Sequence, residues 1–405
     1  MDYDEAIEWI YTTQNFGIKL GLDAPKKLLA HYLAYPTSET KVAHIAGTNG
    51  KGSTCAILDS LARSSGERTG LFTSPHLVDF RERVRVSGEM ISKADTARHL
   101  TALRNLVSSW EYHPTFFELV LVLAMKYFRE KECDLIILET GMGGTLDATT
   151  AVPANVYGIT PIAKDHSQYL GETIEEIAGA KAGIILSSAP TFSSAQQPEA
   201  AMVIAREANR HRSKLTVVDQ PLEAYHISLR GRYQRENAAL ALEIAHSLGM
   251  SLRYDNVKDG LANIIWPARF ETTSTDPLTI IDGAHNPHAA KMLAETWAEV
   301  YPEQEPVIIF GAIDTKDLSG VLDHLVEISD TIIFTAIDSP QTIQFSDLDG
   351  IQCLEKINLF NKVDITESLT FSKSLNRPIL ITGSLYLLGE YKALIEKRQH
   401  HPTSQ

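Results

Sequence analysis

One stretch of the 405-residue chain suggests chemistry before any fold is assumed: Val42 Ala43 His44 Ile45 Ala46 Gly47 Thr48 Asn49 Gly50 Lys51 Gly52 Ser53. A short apolar run breaks there into a glycine-rich turn that ends in a lysine and a hydroxyl. Glycines at 47, 50 and 52 let the backbone curl so that successive N–H groups point inward, and Lys51 adds a mobile positive charge. The segment from Thr54 to Arg63 has the spacing of a helix whose N-terminus favours an anion. The pattern predicts a phosphate cradle. It is a shorter variant of the GxxxxGK[ST] loop, because Ile45 stands where that loop has its first glycine and Gly52 separates Lys51 from Ser53. The competing reading is a strand-to-helix turn whose glycines serve geometry alone. The coincidence of a strand, three glycines, a lysine and a hydroxyl favours the cradle.

Further candidates stand where apolar runs end. Ser74, Glu139 and His166 supply a hydroxyl, a carboxylate and an imidazole, donors that suit Mg²⁺ held partly by nucleotide phosphates and water. Taken singly, Ser74 could start a turn before Pro75, Glu139 could end a solvated strand and His166 could be a loop histidine. As three successive strand ends after a phosphate loop they support one another, since open parallel sheets gather ligand groups beyond the carboxyl ends of their strands.

The elements that must position these residues alternate. Amphipathic helices are expected over 2–16 and 24–35, with Leu20 to Asp23 as the turn between them. Strands are expected at 42–46, 69–74, 134–139 and 156–160, with helices at 93–109, 115–131 and from Ile174, and a polar excursion from Pro75 to Gly88. Thr191 to Asp219 reads as a strand and a helix, and Asn237 to Leu248 as an alanine-rich helix. This alternation predicts an α/β fold with a parallel sheet covered on both faces. Thr272 to Pro277 then reads as a linker, after which strands at 278–282, 307–311, 331–335 and 379–383 alternate with helices. The expected organisation is a P-loop ATPase-type domain, 1–275, followed by a smaller Rossmann-like domain, 276–405, with a polar, disordered tail from about Lys397.

Composition excludes several classes of function. With 37 Lys and Arg against 51 Asp and Glu, the net charge of −14 disfavours non-specific nucleic-acid or anionic-membrane binding, so an anionic substrate must be held by local cations. Cys55, Cys133 and Cys353 are scattered and suggest neither a disulfide framework nor a zinc site. The acidic N-terminus does not read as a cleavable signal, and the most apolar run, Leu119 to Tyr127, is too short to span a bilayer. A cytoplasmic monomer acting on small molecules is expected.

The phosphate loop, together with Thr73 Ser74 Pro75 His76 Leu77, Glu139 Thr140 Gly141 Met142 Gly143 Gly144, Leu146 Asp147 Ala148 Thr149, Lys181 Ala182 Gly183 Ile184, Asp282 Gly283 Ala284 His285 Asn286 Pro287 and Thr382 Gly383 Ser384 Leu385 Tyr386, resembles the folylpolyglutamate synthase and dihydrofolate synthase family, a branch of the Mur ligases. The resemblance implies an ATP-dependent ligase that joins a folate or pteroate carboxylate to L-glutamate through an acyl phosphate. By the same resemblance Gly47, Thr48, Asn49, Gly50, Lys51, Gly52 and Ser53 hold the phosphates, and Asn237, Arg269 and Asp282 contact the nucleotide. Ser74 and Glu139 would ligate one Mg²⁺, and Glu139 with His166 a second. Lys181 matches a lysine carbamylated by CO₂, which would turn a cation into a metal-binding carboxylate; without the resemblance it reads as a surface lysine on a helix. Lys51, Lys181, Asp282 and His285 are the catalytic candidates, and Ser384 a glutamate-binding one; His285 and Ser384 could otherwise be ordinary turn residues, a reading of nearly equal weight for Ser384.

For the pterin, the resemblance points to Leu20, Gly21, Leu22 and Asp23, to Thr115, Phe116, Phe117 and Glu118, and to Leu146, Asp147 and Ala148. Adjacent helical residues point about 100° apart, so only one of Phe116 and Phe117 is expected to face the ligand. Arg269 could otherwise form a linker salt bridge and Asn237 a helix cap. Two positions depart from the family pattern: Thr145 replaces a frequent arginine and Lys164 a frequent leucine, which bears on substrate choice more than on reaction type. A Mur-type ligase for another carboxylate, or a nucleotide switch with a binding module, are the alternatives.

Overall fold

The computed structural model describes residues 1–17, 21–313 and 317–401. Eight strands form the first sheet: β1 (Lys41–Ala46), β2 (Thr69–Phe72), β3 (Val84–Val86), β4 (Glu89–Met90), β5 (Leu135–Glu139), β6 (Val156–Ile159), β7 (Thr191–Ser194) and β8 (Leu215–Val218). Their order is β4-β3-β2-β5-β1-β6-β7-β8. From β2 to β8 every pairing is parallel, and β3 and β4 add an antiparallel edge. The inner strands are buried along nearly their whole length, the mark of a sheet covered on both faces. Helix Phe116–Glu130 contributes to the apolar core on one face, and helices Lys51–Ser64 and Arg232–Ser247 to the core on the other.

Six strands form the second sheet: β9 (Glu271–Thr275), β10 (Leu278–Ile281), β11 (Val307–Phe310), β12 (Thr331–Thr335), β13 (Asn358–Lys362) and β14 (Ile379–Thr382), in the order β13-β12-β11-β14-β10-β9. All pairings are parallel except β9 with β10. The expected linker, 272–277, is therefore largely β9, an edge strand of the second sheet. Its run of threonines and serines reads as a loop but suits a half-exposed edge. Strands β8 and β13 are not separately legible: β8 is a four-residue edge strand that is nowhere fully buried, and β13 mixes polar and apolar residues.

Three other expectations change. The stretch 75–88 is no polar excursion: Leu77, Val78, Phe80 and Arg83 are buried, and β3 lies within it. The alanine-rich helix begins at Arg232, so Asn237 lies inside it and is no cap. Residues 397–401 pack back on 76–80 rather than forming a free tail. Among the described residues no helix is long and apolar enough to cross a membrane.

Candidate active site

The carboxyl ends of both sheets open into one cavity of about 1010 Å³. The phosphate loop lies at its centre. Helix Lys51–Ser64 starts at Gly50, whose φ of 89° is left-handed, and a β-carbon there would lie 2.5 Å from Asn237 Oδ1. Only glycine meets both constraints. The first helical bond runs from Thr54 N to Gly50 O, leaving the N–H groups of Lys51, Gly52 and Ser53 without an intrahelical acceptor. The cradle is narrower than expected, since the N–H groups of Thr48 and Asn49 both donate to Pro161 O, at 3.0 and 3.2 Å. Lys51 Nζ rests on Thr48 O at 3.1 Å, and Ser53 Oγ accepts from Gln234 at 3.3 Å.

Ser74 and Glu139 meet beside this loop, where Ser74 N donates to Glu139 Oε2 at 3.0 Å. Burial pushes the Glu139 carboxyl up, and Lys51 opposes the shift. Among the described residues Oε1 receives no hydrogen bond, so the residues fit a divalent cation completed by phosphate and water. No cluster of three His, Cys, Asp or Glu side chains capable of holding a metal occurs among the described residues, so protein groups alone do not form a closed cage. His166 also lines the cavity, with Nε2 3.8 Å from Asp165 Oδ1. Lys181 is only 3% exposed, contrary to the surface reading, and donates to Gly47 O at 2.7 Å. Burial, reinforced by Lys51, lowers its ammonium to about 7.

The second sheet contributes Asp282, His285, Asn286 and Ser384. Asp282 is buried and accepts from Phe270 N at 2.8 Å and Ala284 N at 2.9 Å. It thereby holds Phe270 at a φ of 48°, while Ala268 lies at 59°, so the intervening Arg269 is presented to the cavity from a strained crossing. His285 Nε2 lies 3.7 Å from Asp165 Oδ2 across the two lobes. Burial alone would lower His285, but its pairing with Asp165 raises it; in turn His285, His166 and Lys51 outweigh burial and hold the Asp165 carboxyl well below the usual range. Asn49 and Asn286 exchange side-chain amide bonds at 3.1 and 3.0 Å, and Asn49 Nδ2 also lies 2.9 Å from His288 Nδ1. Asn286 had no assigned role, and only its place before Pro287 at a helix start marked it. Ser384 Oγ caps the last helix through Tyr386 N at 3.2 Å, so its role as a turn residue stands beside its place in the cavity wall.

Of the residues expected to meet a pterin, Gly21, Thr115, Phe116, Phe117, Glu118, Leu146, Asp147 and Ala148 line the cavity, whereas Leu22 and Asp23 are not among the lining residues and Leu20 lies outside the described residues. Both phenylalanines line the cavity, contrary to expectation, because the helix N-terminus is aimed at it and two directions of its first turn border the space. Glu118 Oε2 closes a capping box on Thr115 N at 2.6 Å. Of the two departures, Lys164 lines the cavity, while Thr145 packs on Ala180 and is not among the lining residues.

Asp147 is held by its own loop: Met142 N donates at 2.9 Å, Thr149 N at 3.0 Å, and the Thr149 hydroxyl also donates. His44 Nε2 lies 2.8 Å from that hydroxyl. Burial holds His44 down at about 3, so the unfolded chain takes up a proton that the folded one refuses. Stability therefore falls as pH drops from about 6.5 towards 3, by about 1.4 kcal/mol per pH unit from this group. His44→Gln is expected to flatten the fall in urea-unfolding free energy between pH 6 and 4.5 relative to the unsubstituted chain. Parallel curves for the two proteins would refute the assignment.

Comparison with known proteins agrees with this geometry. Residues 45–193 match the Mur ligase middle domain, and residues 268–384 the Mur ligase glutamate ligase domain. The dihydrofolate synthase/folylpolyglutamate synthase of Bacillus subtilis is 33% identical, with 96% of this chain and 98% of that protein covered. The structure of Mycobacterium tuberculosis folylpolyglutamate synthase complexed with ADP and AMPPCP superposes with a TM-score of 0.89 at 28% identity, covering 99% of this chain and 100% of that one. Escherichia coli FolC in complex with DHPP and ADP gives 0.85 at 29% identity, covering 97% and 98%.

Proposed function

Because the chain belongs to the dihydrofolate synthase/folylpolyglutamate synthase family, we propose that its cavity joins L-glutamate to the carboxylate of a dihydropteroate or reduced folate at the expense of ATP. A carboxylate is a poor acceptor for an amine. ATP phosphorylates it to an acyl phosphate, releasing ADP, and the uncharged glutamate amine then attacks the acyl carbon and expels phosphate. The protein positions the reactants and neutralises charge. The observation that carries the reading is the convergence of the phosphate loop, Glu139 and His285 from two sheets on one cavity, with Asn49 bonded to Asn286 across the lobes.

In this proposal Lys51 and the N–H groups of the helix start bind phosphate, while Asn237, Arg269 and Asp282 face the nucleotide. Phe116 and Phe117 flank the heterocycle, and His285 and Ser384 face glutamate. Ser74, Glu139 and His166 would hold Mg²⁺, which when bound neutralises phosphate charge. The lowered ammonium of Lys181 supports carbamylation, because CO₂ reacts with the neutral amine and a group near 7 is substantially neutral at physiological pH. Residues 1–275 would carry the phosphate loop and the pterin site, and residues 276–405 would bring glutamate, with Asp282 reaching back to the nucleotide.

Phosphate release measured with ATP and L-glutamate, and with either dihydropteroate or tetrahydrofolate, tests this. Release is expected only when all three substrates are present. Release indifferent to glutamate would favour a nucleotide switch, and release without any pteroyl compound a ligase for another carboxylate.

A further inference from the structure

The second lobe also reaches the ring-binding end of the cavity by a route separate from the Asn49–Asn286 contact. Arg83 is only 3% exposed, lines the cavity, and places its guanidinium 5.1 Å from the centre of the Phe116 ring. Its Nε donates to His76 Nδ1 at 2.8 Å. A nitrogen that accepts carries no proton, so His76 is protonated on Nε2, which lies 2.8 Å from the backbone oxygen of His401 and donates to it. The Tyr11 hydroxyl is 3.3 Å from the same nitrogen, and the Tyr11 ring packs 5.7 Å from that of Phe116.

His401 lies beyond the last helix, Leu385–Glu396, and is itself firmly placed. Its N–H donates to Val78 O at 3.0 Å, its Nδ1 accepts from Phe80 N at 3.4 Å, and Arg398 reaches Asp79 Oδ2 at 3.3 Å. Gly389 of that helix packs directly on the Leu77 carbonyl, leaving no room for a β-carbon, and Leu77 and Val78 join the apolar core formed by Ile379, Ile381, Leu387 and Leu388. The loop after Ser74 is thus built into the second lobe.

We infer that His76 is a positioning residue: the docked segment 398–401 fixes its ring, the ring fixes the plane of the Arg83 guanidinium, and Arg83 presents a rigid cation to a carboxylate of the pteroyl substrate. The acidic end of that substrate must lie between the Phe116 wall and the phosphate loop, and Arg83 is the buried arginine on the Phe116 side of that span. A planar guanidinium suits a carboxylate, and fixing it beforehand removes the ordering cost from binding. The inference rests on the ligase reading above.

The test uses the full chain, His76→Phe, His76→Gln and a chain ending at Gln399. Glutamate-dependent turnover by the full chain comes first, and its absence would defeat the ligase reading rather than this inference. His76→Phe and the shortened chain are expected to raise KM for the pteroyl substrate by about 10-fold or more, while KM for ATP and affinity for AMPPCP change by less than about twofold. Glutamine can accept from Arg83 and donate to the His401 carbonyl, so His76→Gln is expected to recover to within about threefold of the full chain. The inference is overturned by an unchanged pteroyl KM, by a parallel rise in the KM values for the pteroyl substrate and ATP, or by a glutamine variant no better than phenylalanine.

Discussion

Replacing Lys51 by alanine is expected to lower turnover by at least about 10³-fold while leaving the fold in place. The side chain is half-buried at the start of helix Lys51–Ser64, and its one described hydrogen bond is to Thr48 O, so the apolar cores do not depend on it. Its loss would act three ways. A cation disappears from the phosphate cradle. Glu139 loses the charge that opposes its burial and takes up a proton more readily, and Lys181 loses the repulsion that helps keep it neutral. The last two effects both move the site towards its protonated state, so any residual activity should shift to higher pH. ADP release under saturating substrates, a pH–rate profile and a thermal unfolding curve within a few degrees of the unsubstituted protein check this. Undiminished turnover would remove the cradle from the mechanism.

The second large effect is expected where the lobes meet. Asn49→Ala and Asn286→Ser each remove the exchanged pair of amide bonds, and serine retains the acceptor that caps Ala289 N at 2.9 Å, so helix Pro287–Val300 keeps its start. Each variant should lower glutamate-dependent turnover by about 5- to 100-fold, the range of a coupling free energy of about 1–3 kcal/mol, with AMPPCP affinity changed by less than about threefold. The double variant should fall short of the product of the two single losses, because both lose the exchanged pair, while Asn49 separately loses His288 and Asn286 separately loses its 3.4 Å bond to Asp165. Two losses that multiply would show that the asparagines act independently. The Asp165–His285 pair, 3.7 Å apart across the same seam, is left intact by Asn49→Ala, whereas Asn286→Ser also takes a donor from Asp165 Oδ2.

Much of this site is legible in local sequence because its groups sit where regular elements end. Lys51, Ser74, Glu139, His166, Asp282, His285 and Ser384 each follow a recognisable apolar strand, and the ends of parallel strands converge whatever the intervening loops do. The two phenylalanines show the limit of such reasoning. Helical spacing correctly sets their angular separation, but it says nothing of how the helix axis is aimed, and here the N-terminus points into the cavity. Arg83 is legible only as part of the expected polar excursion from Pro75 to Gly88, since its burial depends on Phe116, His76 and a segment more than 300 residues away.

By itself the sequence determines the alternation of strands and helices, the phosphate loop and the order of the motifs, because these follow from periodicity and from residues a few positions apart. Tertiary structure alone decides that Lys181 is buried against Gly47, that Asn49 is bound to Asn286, that 271–275 is a strand and that 398–401 supports His76. Each of those outcomes depends on partners far apart in the chain, and hydrophobic patterning is silent about which polar groups will meet once the two sheets have packed.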